Sequence, residues 1–564
     1  MTSGTTASEA TSRISFKSTV GGDDLFTTEF AEVICELHDR FDGRVDGVRA
    51  ARAEMLRKAQ AGEPVTALPP SVATTTDWKV PPVPEDLLKP GIEISGPAHV
   101  TSMFINALNP GPEGERAEGD LDDDEDAAGH SLEDTITAAR NRRDAVLHTL
   151  EFDNPQTGRH YEIAPGEIPF FMHRERGWHL DEPAFTIDGA PVSATLLGTA
   201  LTLFHAGKAH VDRGQGIFFY LPKTESPGEA QLYREVFDAC RELIPHLEDA
   251  TIRGIILVES LPAVFFMEEM LYALGPYAAG LNAARWDLKA SLLEYVMTDE
   301  ASVWPDRFDV AVPSTPFIAN IFRRLVAICL KHGAVPIGGM ATALPSRDED
   351  VNRDAAAAIL ADKQWEAEQG FLRAWVAHIY HMTPAAAPFK QVHAKGLKYT
   401  AGMADPDNFP VRIDTPTGKL TEEGTRQNVR VLIEYIEGWL TGRGAKGIDR
   451  LAGKPGKRPA LMEDLATARI SVAQIAQRVY HGSVAEDTER KHDLPLVKRL
   501  VHSEGRDIIG ALGEDADPAQ VTRYRKSQKI ALRWIKNYVD LDFRSLGTYT
   551  RADLDAIAAA PDAF

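Results

Sequence analysis

The sequence predicts an α/β protein built on a (β/α)₈ TIM barrel, with an N-terminal helical segment and a C-terminal helical domain. Three observations lead to this fold class. Short apolar runs alternate with amphipathic helical patterns between residues 91 and 384. Charged residues follow several of these runs directly, and helical patterns without strands prevail on either side. A chain of 564 residues is long enough for a large barrel with additions.

The overall composition is that of a globular protein that does not bind nucleic acid. Hydrophobic residues make up 43% of the chain and charged residues 26%. The net charge of −22 repels phosphate backbones. The longest apolar runs are too short to span a bilayer, and the N-terminus lacks the apolar core of a signal peptide. Three cysteines without a CxxC pair fit a reducing compartment, so we expect a cytoplasmic protein.

Residues 1–90 are predicted to form the N-terminal helical segment. Its start, MTSGTTASEATSRIS, is rich in Ser and Thr and is expected to be disordered. Residues 26–62 carry apolar positions at helical spacing and end at Gly62, a typical helix stop. The proline-rich connector WKVPPVPEDLLKPG then leads into the barrel domain, which we place at residues 91–419.

Seven barrel strands are predicted from short apolar runs. Continuous apolar strands that alternate with helices, such as LPAVFFMEEMLYAL at 261–274, are typical of a parallel sheet covered by helices. An eighth strand is needed to close the barrel. The predicted strands are GIEISG (91–96), IPFFMHR (168–174), GIFFYLPK (216–223), GIILVE (254–259), AAGLNAA (278–284), AVPIGGM (334–340) and WVAHIY (375–380).

The C-terminal domain, residues 420–564, is predicted to be helical. Its segment SVAQIAQRVYHG offers Ser471 as a helix N-cap, with Gln474 completing a capping box. Gly482 is the expected C-terminal stop of the same helix.

Charged residues at the predicted strand ends are the first candidates for a site. Barrel chemistry takes place at the C-terminal ends of the strands, where Arg174, Lys223, Glu259 and Asp287 follow four of the runs. A single acid at such a position is more often a helix-start or surface residue. Two acids from neighbouring strands favour Mg²⁺, which binds a few hard oxygens and leaves positions for substrate.

Six colinear motifs resemble the A-type malate synthases over roughly residues 25–510. The metal-binding segment of that family is similar to GIILVESLPAVFFMEEMLYALGPYAAGLNAARWD. RERGWHLDEPAFTIDGAPVSA resembles the family segment that begins RPRGWHL. The other four motifs also match the family and follow one another along the chain in the family's order. They are INALNPG, YLPKTES, IGGMATALPSRD and LMEDLATARIS.

This resemblance implies a Claisen-type condensation of acetyl-CoA with glyoxylate, followed by hydrolysis of the malyl thioester. By the same resemblance, Glu259 and Asp287 would hold Mg²⁺, and the groups around Trp286 and Asp287 would seat glyoxylate. Arg174 would stabilise the enolate oxygen, and Asp464 would be the general base that removes the methyl proton.

The proposed base lies far from the metal ligands in the sequence. A carboxylate in direct contact with Mg²⁺ would lose basicity, so the base has to come from elsewhere. Asp464 meets this need if the C-terminal domain closes over the barrel mouth, and Glu463 is then a structural neighbour. Without the resemblance, a solvated acid at a helix start would be the default interpretation of Asp464.

Two substitutions depart from the family pattern next to the predicted site. Ala284 replaces the usual glycine before the RWD sequence, and its methyl group is expected to crowd the small-acid pocket. Glu175 replaces the proline after Arg174, and its charge would weaken enolate stabilisation unless Arg176 pairs with it. A basic insertion with Lys454, Lys457 and Arg458 precedes the base and is either a mobile loop or a clamp for CoA phosphates.

The second barrel strand is the largest departure. Glu125 and Asp126 match an acidic pair near the family's metal site, and we expect them to act from outside the ligand set. The preceding residues 112–122, PEGERAEGDLD, contain almost nothing apolar, which is unusual for a central strand. Either this strand is distorted or this edge of the barrel is open, and a solvated loop is the commoner state of such an acidic run.

Several alternatives stay open from the sequence. The acceptor could be another 2-oxo acid and the donor another acyl-CoA. A related CoA-ester lyase or malyl-CoA thioesterase on the same barrel, or a non-catalytic homologue, would share many of the motifs. Retention of Arg174, Glu259, Asp287 and Asp464 together favours the condensation. The oligomeric state does not follow from the sequence.

Overall fold

The computed structural model describes residues 7–17, 21–396, 399–449 and 458–564. A closed barrel of parallel strands forms the centre of this chain, because each strand pairs with the next and the last pairs with the first. The predicted fold class is confirmed. The strands are β1 (Gly91–Pro97), β2 (Gly119–Asp123), β3 (Phe170–Arg174), β4 (Ile217–Leu221), β5 (Ile252–Leu257), β6 (Ala278–Asn282), β7 (Val335–Ala341) and β8 (Arg373–Val376).

Helices cover the outside of the barrel. The predicted helix after β5 has the bounds Leu261–Leu274, with the Ser260 hydroxyl accepting from the Ala263 N–H at its start. The longer barrel helices are Thr101–Leu108, Leu132–Val146, Ala194–Leu201, Gly207–Asp212, Pro227–Leu243, Leu261–Leu274, Arg285–Tyr295, Pro316–His332, Glu349–Gln369 and Met382–Ala394. The last predicted strand is displaced: β8 ends at Val376, and a short 3₁₀ helix, Ile379–His381, follows where the strand was expected to continue.

The acidic second strand is a regular, fully buried barrel strand. All five residues of β2 are buried and pair with β1 on one side and β3 on the other. The predictions of a solvated loop and of an open barrel edge are therefore wrong. The strand is accommodated because cations neutralise two of its three carboxylates: Arg142 Nε lies 2.5 Å from Asp122 Oδ1, and Arg174 Nη2 lies 2.6 Å from Asp123 Oδ2. Burial, with the charges of Asp122 and Glu93, raises the pKa of the third, Asp120, which favours its neutral form.

The N-terminal segment packs against the barrel through one long helix. Helix Thr28–Gln60 begins after the N-cap Thr27, as the apolar spacing predicts, and buries its first turns. A shorter helix, Ala7–Arg13, precedes the strand Ile14–Phe16, which pairs with an antiparallel hairpin formed by Asp181–Ile187 and Ala190–Ser193. The predicted disordered start covers residues 1–15. Residues 1–6 lie outside the described residues, and for residues 7–15 the prediction is wrong, because they form this helix and the beginning of this strand.

Over its described residues, the C-terminal part forms helices and a two-stranded ribbon. The helices are Glu422–Leu440, Leu465–His481, Leu494–Ala511, Pro518–Val539 and Arg551–Ala559. The ribbon pairs Lys446–Ile448 with Leu461–Glu463, just before the second of these helices. Lys454 and Lys457 of the predicted basic insertion lie outside the described residues.

The N-cap prediction for helix Leu465–His481 is wrong. The helix begins earlier, because Asp464 and Thr467 form a reciprocal capping box at its start. Ser471 lies inside the helix, where its hydroxyl donates to the Thr467 carbonyl at 3.1 Å. The predicted stop at Gly482 is confirmed by its left-handed φ of 59°.

We predict that Arg142→Met destabilises the protein by roughly 3–5 kcal/mol, because it leaves the buried Asp122 and Glu175 carboxylates without their cation. Urea unfolding of the two proteins measures the difference. Arg140→Met on the same helix is the matched control, since Arg140 pairs with Asp24 at the surface and should contribute less than about 1 kcal/mol. Equal effects of the two substitutions would contradict this account of β2.

Candidate active site

One cavity at the C-terminal ends of the barrel strands brings the predicted site residues together. Residues from the barrel line one side of the cavity, and the start of helix Leu465–His481 lines the other. Its lining residues are Asp126, Arg174, Glu259, Ala284, Arg285, Trp286, Asp287, Met340, Trp375, Asp464 and Ala466.

Three buried carboxylates form a candidate site for a metal ion. Asp126 lies in the loop after β2, Glu259 lies just after β5, and Asp287 lies in the first turn of helix Arg285–Tyr295. Each offers an oxygen atom within 4.8 Å of the other two. Glu259 and Asp287 come together as the sequence predicts. Asp126 belongs to the same group, whereas Glu125 does not. Oxygen donors of this kind suit a hard divalent cation such as Mg²⁺.

Lys223, in the loop after β4, lies among these carboxylates. Its Nζ atom is 2.9 Å from Asp126 Oδ2 and 2.9 Å from Asp287 Oδ2. The same atom lies 3.4 Å from Glu259 Oε2 and 3.3 Å from Glu125 Oε2. Sequence reasoning placed Lys223 at a strand end but gave it no partner.

Arg469 reaches the site from the C-terminal helix Leu465–His481. Its Nη1 atom is 2.8 Å from Asp287 Oδ1, and its Nη2 atom is 2.8 Å from Glu294 Oε2. The Tyr538 hydroxyl donates to Glu294 Oε1 at 2.8 Å. Sequence reasoning missed Arg469, although it belongs to the LMEDLATARIS motif. The surplus of predicted acids over predicted cations at the barrel mouth was a signal that a further cation was needed there.

Arg174, the last residue of β3, is fixed by a bidentate ion pair. Its Nε and Nη2 atoms donate to the two Asp123 carboxylate oxygens at 2.7 and 2.6 Å. Its Nη1 atom stays beyond hydrogen-bond distance of Glu125 and Asp126, at 3.9 and 3.8 Å. Since Arg174 also lines the cavity, this nitrogen is available to a ligand oxygen.

The extra charge at Glu175 is neutralised by a residue that the sequence did not indicate. Glu175 Oε1 accepts from Arg142 Nη1 at 2.6 Å and from the Thr202 hydroxyl at 2.6 Å. Arg176, which the sequence analysis named as the residue that could offset this charge, pairs with Glu182 at 2.9 Å instead. Glu175 therefore faces away from the cavity that Arg174 lines.

Asp464 and Glu463 have different environments although they are neighbours. The buried Glu463 carboxylate accepts two bonds from Arg307 Nη2, at 2.8 and 2.9 Å, which fixes the chain in front of the helix. Asp464 is half-buried and lines the cavity. One of its oxygens accepts from the Thr467 N–H at 3.1 Å, and the carboxylate lies at the cavity wall.

Burial and mutual repulsion make several of these carboxylates hard to ionise. Burial, with the negative charges of Asp287 and Asp126, raises the pKa of Glu259 to about 8. Burial, with the charges of Asp126 and Asp287, also raises the pKa of Asp464 to about 8. The pKa of Asp126 is lowered, because Lys223 and Arg174 outweigh its burial. A divalent cation would supply the missing positive charge.

The walls of the cavity are formed by small and aromatic side chains. Ala284, which stands where the resemblance leads to the expectation of a glycine, is one of its lining residues. The buried Trp286 Nε1–H has no hydrogen-bond partner within the described part of the chain. Met340 and Trp375 complete this wall. Ala284 and Trp286 are therefore placed to contact a small ligand beside the acidic group.

Comparison with known proteins gives a consistent match over most of the chain. The family description "Malate synthase, TIM barrel domain" matches residues 170–409, and "Malate synthase, C-terminal" matches residues 419–551. The malate synthase of Streptomyces clavuligerus is 34% identical over 94% of this chain and 96% of its own. Malate synthase A of Escherichia coli strain K12 is 33% identical, covering 87% and 89%. The glyoxysomal malate synthase of Zea mays is 33% identical, covering 89% and 88%.

We predict that Mg²⁺ binds more tightly as the pH rises from 6.5 to 8.5. Below pH 8 the pKa of about 8 favours the protonated Glu259 carboxyl in the metal-free protein, and the cation has to displace that proton to bind. The charge of the bound cation also favours ionisation of Asp464, whose pKa is likewise about 8. Calorimetric titration in two buffers of different protonation enthalpy measures both affinity and proton release. A pH-independent affinity without proton release would contradict the predicted ionisation of the cluster.

Proposed function

The chain belongs to the malate synthase family, and on this premise we propose how its barrel mouth carries out the family reaction. That reaction condenses acetyl-CoA with glyoxylate and water to malate and CoA. The match over nearly the full length of several malate synthases supports this acyltransferase activity. One structural observation carries the proposal of residue roles: Asp464, from the C-terminal helix, lines the same cavity as Arg174, Glu259 and Asp287.

We propose that Glu259 and Asp287 hold Mg²⁺, with Asp126 as a third oxygen donor. The closeness of their oxygen atoms and their burial support this set. When bound, Mg²⁺ would polarise the glyoxylate aldehyde and offset the charge of its carboxylate. Trp286 and Asp287 would orient the small acid, and the Ala284 methyl would limit the space beside it.

Asp464 is proposed as the general base. Its carboxylate belongs to a separate element from the acidic group and is not one of the three clustered oxygen donors. A carboxylate in a half-buried position with a raised pKa is a stronger base than one in water, once it is ionised. It would accept a proton from the acetyl methyl group as the enolate forms.

Arg174 is proposed to stabilise the enolate. Arg174 lines the cavity, and Asp123 holds its Nε and Nη2 atoms, so the guanidinium is oriented before the substrate binds. The enolate carbon then forms a bond to the glyoxylate aldehyde carbon, and the aldehyde oxygen takes up a proton. Water cleaves the resulting malyl thioester, so CoA leaves as the thiol and malate is released.

We also propose the division of the chain into residues 1–90, 91–419 and 420–564, with the base on the last part. The barrel strands, which all lie between Gly91 and Val376, support the middle range, residues 91–419. Within the described residues, no helix combines the length and apolarity that crossing a membrane requires. We likewise propose a cytoplasmic location for this chain. The relative from Zea mays, in contrast, is named as glyoxysomal.

We predict that Asp464→Asn removes malate formation but leaves Mg²⁺ and glyoxylate binding nearly intact. The amide cannot accept the methyl proton, yet it retains the oxygen that caps the helix. Malate formation and calorimetric titration of both ligands give the two readouts. Loss of ligand binding together with turnover would show that Asp464 has been assigned the wrong role.

The matched control is Asp493→Asn. Asp493 caps the next helix, Leu494–Ala511, by accepting from the Leu496 N–H at 2.7 Å, but it does not line the cavity. This variant should retain wild-type turnover. Equal loss in the two variants would point to the caps rather than to proton transfer.

We predict that Glu259→Gln raises the Mg²⁺ concentration needed for half-maximal activity by at least about tenfold, because a charged ligand is replaced by a neutral one. Titration of activity with Mg²⁺ measures this shift. Glu269→Gln, a buried carboxyl on the following helix Leu261–Leu274, is the control and should leave the titration unchanged. An unchanged titration for Glu259→Gln would reject its assignment as a ligand.

A further inference from the structure

We propose that Lys223 is a built-in counter-ion of the acidic group and competes with the metal ion for the same carboxylates. In this account Lys223 is a positioning residue: it stabilises the folded barrel mouth when metal is scarce and lowers the affinity for Mg²⁺. The proposal rests on the metal site of the proposed function and adds to it a residue that limits metal binding.

The position of the Lys223 ammonium group is the first observation. Its Nζ atom lies within 3.4 Å of oxygen atoms from all three candidate ligands, Asp126, Glu259 and Asp287. The side chain is buried, so water screens these contacts little. Two cations that share one set of carboxylates repel each other. When Mg²⁺ binds these oxygens, either Lys223 moves away or the repulsion between the two cations weakens metal binding.

The backbone shows that the lysine is held in place rather than resting there by chance. Lys223 has a φ of 50°, in the left-handed region that residues with a side chain seldom adopt. Its N–H donates to Glu259 Oε1, and its carbonyl accepts from Arg52 Nη2 on the N-terminal helix. The loop after β4 thus directs this side chain into the acidic group at the expense of local conformational strain.

The charges around Lys223 explain why such a cation is needed. The carboxyl groups of Glu125, Asp126, Glu259 and Asp287 converge on its ammonium group, and those of Asp126 and Asp287 are the closest, each at 2.9 Å. Buried carboxylates that lack a partner are strongly destabilising. Arg174 is engaged mainly with Asp123, and Arg469 contacts only Asp287 of these four. Removal of Lys223 would therefore leave most of this charge to be balanced by a metal ion.

The test compares wild-type protein with Lys223→Gln in the full-length chain. We expect Lys223→Gln to unfold at a lower temperature than wild type in the presence of a chelator. We also expect it to bind Mg²⁺ at least about tenfold more tightly, because one buried positive charge near the metal position is gone. Thermal unfolding with and without Mg²⁺ and calorimetric titration with Mg²⁺ alone provide readouts that do not depend on activity.

Lys446→Gln is the matched control. Lys446 Nζ also pairs with two carboxylates, Glu434 and Glu437, each at 2.8 Å, but it lies outside the cavity. Its loss should lower the unfolding temperature without changing Mg²⁺ affinity. Lys223→Arg keeps the charge and should bind Mg²⁺ as wild type does.

The outcomes separate this inference from the proposed metal site. Unchanged or weaker Mg²⁺ binding by folded Lys223→Gln, with wild type binding normally, would overturn the competition. Absence of Mg²⁺ binding by wild type would instead reject the metal site itself. If Lys223→Gln folds only with Mg²⁺ present, the counter-ion role is supported. If it does not fold at all, the variant that combines it with Glu125→Gln restores the charge balance and is expected to show the tighter Mg²⁺ binding; wild-type affinity in it would overturn the proposal.

Discussion

Charge balance at the barrel mouth is the constraint on which the rest of the site depends. More buried carboxylates converge there than the neighbouring arginines and lysine can neutralise, and burial raises the pKa of both Glu259 and Asp464 to about 8. The cations consequently divide the carboxylates among them: Arg174 binds Asp123, Lys223 binds the metal-ligand candidates, and Arg469 shares Asp287 with Lys223. Because positive charge is in deficit, a divalent cation would complete the charge balance of the site.

The same electrostatics tie the C-terminal helices to the barrel. Helix Leu465–His481 begins with the proposed base Asp464 and, little more than one turn later, presents Arg469 to Asp287. Arg307 binds Glu463, the residue immediately before Asp464. Base and metal ligand are therefore positioned by one helix, so a change in its docking would alter both. This arrangement explains how two distant segments of sequence serve one reaction.

Local patterns predicted the barrel well, and they failed where tertiary pairing decides. The apolar runs located seven strands, but β2 could not be recognised, because its buried Asp122 and Asp123 depend on Arg142 and Arg174 from other elements. Resemblance to the family located Glu259, Asp287 and Asp464. It gave Lys223 no partner and did not indicate a role for Arg469, since the contacts of these cations with the acids arise from folding alone. Residue spacing also placed the helix start at Ser471. The helix begins seven residues earlier, because Asp464 and Thr467 form its N-terminal cap.

The most direct test of the account is the release of free CoA thiol from acetyl-CoA and glyoxylate, measured with Mg²⁺ and again with a chelator. The account predicts release that requires both glyoxylate and Mg²⁺, because the acidic group, Arg174 and Asp464 act on the two substrates in one cavity. Release that is independent of the metal, or absent with both substrates and Mg²⁺ present, would contradict it.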